Sequence, residues 1–221
     1  MGRGRTAAIA GAAALAGSLF LLGGGKDLQA AGAPARSPLP GDPLTGEEVT
    51  RAEKVASATL RTRMTSGRVE FLYVERDDDK AAAGRRRADA YIYDYGANRL
   101  IVRTVDLGSG RVVAERAGRG VQAPPSGSEE TRAAELLLAD PRHGRAVRAA
   151  YAGVTGRLLR SPAELGLRAL IFNPRPEDRA ARDCASHRCV RLLVRLPDGT
   201  WLNTTRTVVD LSAKKILTLE W

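Results

Sequence analysis

Histidine and cysteine are nearly missing from this sequence. Its 221 residues hold two of each: His143 and His187, Cys184 and Cys189. Acid–base and metal chemistry therefore have few places to reside. A Ser-His-Asp triad needs a histidine in reach of a serine and oriented by a carboxylate; His187 next to Ser186 is adjacency in sequence and no more. Aromatics make up 5 % of the chain. The bases are scattered rather than clustered with aromatics, which argues against a single-strand nucleic-acid groove. Lysine is scarce as well, five residues against an abundance of arginine.

Residues 1–35 read as an export signal. Arg3 and Arg5 form a short basic region, Ala7–Leu22 is an Ala/Gly-rich apolar run, and small residues follow in "QAAGAPA". That order is the secretory pattern, with cleavage expected after Ala31, Gly32 or Ala35. An uncleaved anchor is the alternative, since the run spans a bilayer if its flanking glycines count. "RGR" is not an Arg-Arg pair, so the twin-arginine and general export routes both stay open. No cysteine lies near this site to accept a lipid. The expected location is the cell envelope or the medium.

Beyond residue 35 stand 32 basic and 24 acidic residues, a net charge of about +8. A basic exported protein can be drawn to anionic wall polymers; a nucleic-acid partner is not expected, nor membrane contact except through an uncleaved signal. Residues 36–44 are a Pro-rich linker or extended lead-in. Thr45-Gly-Glu-Glu48 has the form of a capping box and opens a helix over about 46–57. Alternating strands follow: "RVEFLYVER", "ADAYIYDYG", "RLIVRTVDL" and "RVVAER". The aspartates of "DDDKAAAGRRR" fit a charged hairpin tip better than a metal cluster. "DLGSGRV" sits between two strands, so it is a turn and not a phosphate loop.

After the break at "QAPPSGSEE", Ser128 is expected to cap a helix bearing Leu136, Leu137 and Leu138. A second helix starts at Asp140-Pro141, with Pro at the first position, and ends near Gly153. Ser161-Pro-Ala-Glu164 is a further capping box. Strands are expected in "LRALIFNP", "CVRLLVRL", "TWLNTTRTVVDL" and "ILTLEW". "VDLGSGRVV" (105–113) and "VDLSAKKIL" (209–217) read as one hairpin written twice. The fold class is thus α+β: two tandem units, 45–122 and 123–221, each a helix packed on an antiparallel meander sheet.

Cys184 and Cys189 in "CASHRC" suit a disulfide in an exported protein. The other reading is a soft-metal site of Cys184, His187 and Cys189, with His143 as a distant fourth candidate. The disulfide is favoured. Tyr91, Tyr93 and Tyr95 share one strand face, and with Trp201 they are the candidate binding surface.

Several of these segments resemble copper amine oxidases. "DPLTGEEV" resembles the opening of that family's second N-terminal domain, and "RLIVRTVDLGSGRVV" its closing hairpin. "QAPPSGSEETRAAELLLADPRHGRAVRAAYAGV" resembles the start of the third domain, and "VVDLSAKKIL" its last hairpin. The resemblance covers nearly all of residues 42–221 and implies two cystatin-like, non-catalytic domains. The family's topaquinone and three-histidine copper site belong to a later domain. "IYDY" (92–95) echoes the quinone motif, but Ile92 replaces its asparagine, and two histidines cannot supply three imidazoles. No cofactor is expected. The chain reads as a secreted, non-catalytic interaction module for a protein or small ligand. Alternatives are an accessory subunit of a separately encoded amine oxidase, or a small Cys/His metal or redox protein.

Overall fold

The computed structural model describes residues 37–79 and 84–220. The expected export signal lies outside them, as does the middle of the charged tip. Pro38 begins a single compact unit that runs through the rest of the chain. Among the described residues no helix is long and apolar enough to cross a membrane.

The first half begins with helix α1, Gly46–Ser57, and a short α2, Arg61–Thr65. Thr45 and Glu48 form both bonds of the capping box, satisfying amides that a helix start otherwise leaves open. Strands β1 (Val69–Arg76), β2 (Arg87–Asp94), β3 (Arg99–Asp106) and β4 (Arg111–Arg119) form an antiparallel meander in that order. Strand alternation divides β2 into two faces. Ala88, Ala90 and Ile92 face α1, where Ala52 and Ala56 are wholly buried against them. Alanine on both sides lets the helix lie close to the sheet. Tyr91, Tyr93 and the following Tyr95 occupy the opposite face.

The Pro-rich lead-in is docked rather than loose. Arg86 holds Glu48 through both carboxylate oxygens, at 2.8 and 2.7 Å. The same guanidinium donates to the carbonyls of Leu39, Pro40, Asp42 and Pro43. One arginine thereby fastens residues 39–43 and the start of α1 to the beginning of β2.

The second half opens with α3, Gly127–Ala139, and α4, His143–Thr155. The cap of α3 is Ser126, paired with Glu129, not Ser128. Two serines compete at this turn, and only Ser126 stands three residues before a glutamate; the Ser128 hydroxyl instead donates to Glu70. Asp140 accepts from the amides of Arg142 and His143, but it closes the turn after α3 and is not the cap of α4: that helix begins at His143 with Arg142 before it, so Pro141 lies outside it and not at its first position. The two helices meet so closely at Gly144 that a Cβ there would lie 2.1 Å from the Leu138 carbonyl oxygen.

Strands β5 (Gly166–Ile171), β6 (Cys189–Arg195), β7 (Thr207–Asp210) and β8 (Lys215–Thr218) form the second antiparallel meander. Leu137, Val147 and Tyr151 from the helices bury against Val190, Leu192 and Val194 of β6. Each such aliphatic contributes about 2 kcal/mol by burial. The strand expected from Trp201 is shorter than the sequence suggested. Trp201 makes an isolated bridge with Arg195, and β7 begins only at Thr207. Between them Asn203 turns the chain by accepting from Thr205, and the Thr204 hydroxyl takes the Leu192 carbonyl that a strand amide would have used.

The two similar hairpins have matching geometry. Asp106 accepts from the Ser109 amide and Asp210 from the Ala213 amide, each at 2.8 Å. Four residues after each aspartate the backbone turns left-handed, at Gly110 (φ 64°) and at Lys214 (φ 54°). Glycine adopts this conformation freely, whereas lysine is strained in it.

Candidate functional site

The tyrosine face of the first sheet is largely covered: Tyr93 is buried and Tyr91 and Tyr95 are half-buried. It closes against the second half, and the polar groups at the seam form the densest network among the described residues. Arg188, the residue before β6, is fully buried and so is Glu129. Arg188 Nε and Nη2 reach the two Glu129 oxygens at 2.9 and 2.7 Å. Its remaining donors meet Gln122 Oε1 and the carbonyls of Ala123 and Pro124. All five guanidinium donors are thus satisfied, as a buried cation requires.

Glu129 is also the third helical residue of α3, and its carboxylate accepts from the Ser126 amide at 3.0 Å. Tyr95 donates to it at 2.6 Å. Burial, with Glu129 and Glu70 beside it, pushes the Tyr95 phenol far up and keeps it a donor. Tyr93 is 1 % exposed, with the Arg188 guanidinium 5.1 Å above its ring. Glu70 of β1 completes the seam. It accepts from Ser126 and Ser128, and pairs with Arg132 at 2.5 Å. A carboxylate at the first turn of α3 also suits the helix dipole. Tyr91 lies farther out, stacked on Tyr73 at 4.5 Å with its hydroxyl on Glu75.

Of the four aromatics proposed as a binding surface, Trp201 alone is widely open, at 57 %. Arg195 stands over its indole at 5.7 Å, and the same side chain covers Gly166, whose Cβ would fall 3.2 Å from it. A guanidinium stacked on an exposed indole makes a flat, partly desolvated platform.

Cys184 and Cys189 are joined as a disulfide. It belongs to a small apolar cluster with Phe172, Ala181, Val208 and Leu219, and it ties the segment Arg179–Ala185 to the first residue of β6. The ligand atoms of Cys184, Cys189 and Asp210 lie within 4.8 Å of one another, but the sulfurs are bonded to each other and offer no thiolate. His187 Nδ1 lies 2.8 Å from Asp210 Oδ2, and Asp210 is fully buried. A carboxylate so placed fixes the ring with the proton on Nδ1. Among the described residues the adjacent Ser186 does not complete the arrangement: its hydroxyl turns to the Asp183 carbonyl. His143 is elsewhere, with Nδ1 on Asp140 at the start of α4. The structure therefore does not bring His143 into the cysteine loop.

Sequence reasoning singled out neither Arg188, Glu129, Glu70 nor Asp210 for these roles. Asp210 has a sufficient local explanation, a turn, and Glu129 carries no signal once Ser128 is taken as the cap. Arg188 carries no distinguishing signal, since Arg191 and Arg195 follow in the same strand run.

No protein-family model matches the chain, and no curated protein matches it. Among solved structures it is similar to a copper-containing benzylamine oxidase from Hansenula polymorpha, with a TM-score of 0.51 and 12 % identity. The match covers 82 % of this chain and 30 % of that one, so the chain spans under a third of the neighbour's length. The likeness is one of fold, which in this chain is α+β with two four-stranded antiparallel sheets. The residues here do not fit a copper centre of three imidazoles: the chain has two histidines, and each holds a different carboxylate.

Proposed function

We propose that the chain is an exported, non-catalytic binding module that acts at the cell envelope or in the medium. In this reading each half is a cystatin-like unit, and the pairing of two such units provides one broad recognition surface. The observation that carries it is the Trp201–Arg195 platform on the second sheet, the one expected aromatic widely open while Tyr93 and Tyr95 serve the seam. Tryptophan and arginine are the residues that most often anchor protein interfaces. The Asp210–His187 pair supports a structural role, because its carboxylate also caps the last hairpin.

A photo-reactive residue at Thr200 tests this in the native envelope. One specific adduct, lost in the Trp201→Ala variant and weakened in Arg195→Gln, supports the reading. Adducts indifferent to both substitutions overturn it. A second reading, an accessory subunit of a separately encoded amine oxidase, is favoured by the fold likeness to part of an oxidase chain. Co-purification with a catalytic oxidase chain through the same platform would support it over a general binding role.

A further inference from the structure

The arginines of this protein are unevenly paired. Twelve of them make salt bridges among the described residues, most of these around the first sheet and the seam. Arg142, Arg145, Arg148, Arg157 and Arg160 make none there, and no Asp or Glu occurs between Pro141 and Ala163. The carboxylates at the two ends are occupied. Asp140 is held by His143 and the amides of Arg142 and His143. Glu164 is held by the Tyr151 hydroxyl and the amides of Arg160 and Ser161, with the Arg157 charge beside it.

This basic stretch has a definite form. Val147 and Tyr151 of α4 face the core. Arg142, Arg145, Ala149 and Gly153 recur every three to four residues on the exposed side. Small residues thus leave the arginines standing proud of a smooth helix face. The helix ends at Gly156, and the loop that leaves it reads Arg157-Leu158-Leu159-Arg160. Leu158 is 80 % exposed, the most open large apolar side chain among the described residues. Val154, in the last turn of α4, is also exposed.

We infer that the outer face of α4 and its exit loop form a docking surface for an anionic phospholipid bilayer. Charge complementarity supplies the attraction: phosphate headgroups answer Arg142, Arg145, Arg148 and Arg160, which make no ion pair among the described residues, together with Arg157, whose acidic neighbour is Glu164. The apolar tip decides the source of the phosphate. A soluble wall polymer would neutralise the arginines and leave Leu158 in water. A bilayer satisfies both, with Leu158 below the headgroups and Arg157 and Arg160 at their level. The inference is independent of the Trp201 platform, which lies on another element.

The test uses the full chain with Leu158→Cys labelled by an environment-sensitive fluorophore, the native cysteines being paired. A Glu53→Cys label on α1 is the control for any anchoring through the N-terminal segment. With vesicles containing phosphatidylglycerol, the label at 158 should shift to the blue and the label at 53 should not. Neutral phosphatidylcholine vesicles should give no shift, and high salt should reverse it. In otherwise native chains, Arg157→Gln with Arg160→Gln should weaken vesicle co-sedimentation about 30-fold, and Leu158→Ser about tenfold. All these positions are exposed, and an unchanged melting transition confirms the fold. Three results overturn the inference: equal shifts at 158 and 53, binding indifferent to lipid charge, or tight binding of soluble polyphosphate without a vesicle-induced shift.

Discussion

Replacing Arg188 by methionine should be the most damaging single change at the seam. It preserves bulk and apolar contact, so the loss is electrostatic and hydrogen-bonded. Glu129 would remain buried without its cation, and removing one partner of such a pair costs about 3–5 kcal/mol. The Gln122 side chain and the Ala123 and Pro124 carbonyls would lose their donors too, which moves the expectation to the upper end, about 5 kcal/mol. In a unit of this size that lowers Tm by about 10–20 °C. Arg188→Lys should rescue little, because an ammonium cannot reproduce the two-pronged contact. Adding Glu129→Leu to Arg188→Met should return at least about 2 kcal/mol by removing the stranded charge. The return is partial, since Glu129 also serves Ser126 and Tyr95. Denaturant titration of the wild type, these three variants and Glu129→Leu alone reads these values. An Arg188→Met cost below about 1 kcal/mol, or strict additivity of the pair, would refute the reasoning.

Other perturbations have defined outcomes. Glu48 is 16 % exposed, and its hydrogen bonds from Arg86 hold its pKa down at about 2 against an ordinary 4.5. Its contribution is therefore full above pH 4.5 and lost as pH falls toward 2. Glu48→Gln should flatten that part of the stability profile, by about 1–2 kcal/mol, in acid titrations followed by circular dichroism. Replacing both cysteines by serine opens a loop closed across five positions, and chemical denaturation should show a cost of about 2 kcal/mol. Gly144→Ala forces a methyl into the Leu138 carbonyl, and thermal melting should fall by the equivalent of about 3 kcal/mol or more. Lys214→Gly should be neutral or stabilising by up to about 1 kcal/mol, while Gly110→Ala destabilises by about 1 kcal/mol; the opposite order would contradict the matched hairpin geometry.

The local grammar of this chain was legible. Thr45 with Glu48 and Ser161 with Glu164 capped where the spacing required, and the α+β order of helices followed by a meander emerged from alternation and turns. The failures were contests between neighbours or between distant segments. Ser126 and Ser128 differ only in whether a glutamate stands three residues on. The stretch from Trp201 has strand-forming residues, yet Asn203 and Thr204 supply side-chain bonds that interrupt the ladder. The tyrosine face looked like a surface because its cover comes from far along the chain: Glu129 meets Tyr95, and Arg188 lies over Tyr93. Periodicity shows that a face is distinct from its reverse but not what will lie against it. A buried ion pair is harder still, since each member resembles an ordinary surface charge.

In the proposed function the seam makes the two meanders one cooperative body, a rigid base for recognition. Differential scanning calorimetry of the wild-type protein tests this directly. With about 180 residues unfolding together, the calorimetric enthalpy near 60 °C should be about 130 kcal/mol. The account predicts one transition with a van't Hoff enthalpy equal to that value. Two resolved transitions, or a van't Hoff enthalpy near half the calorimetric one, would show that the halves unfold separately and would contradict it.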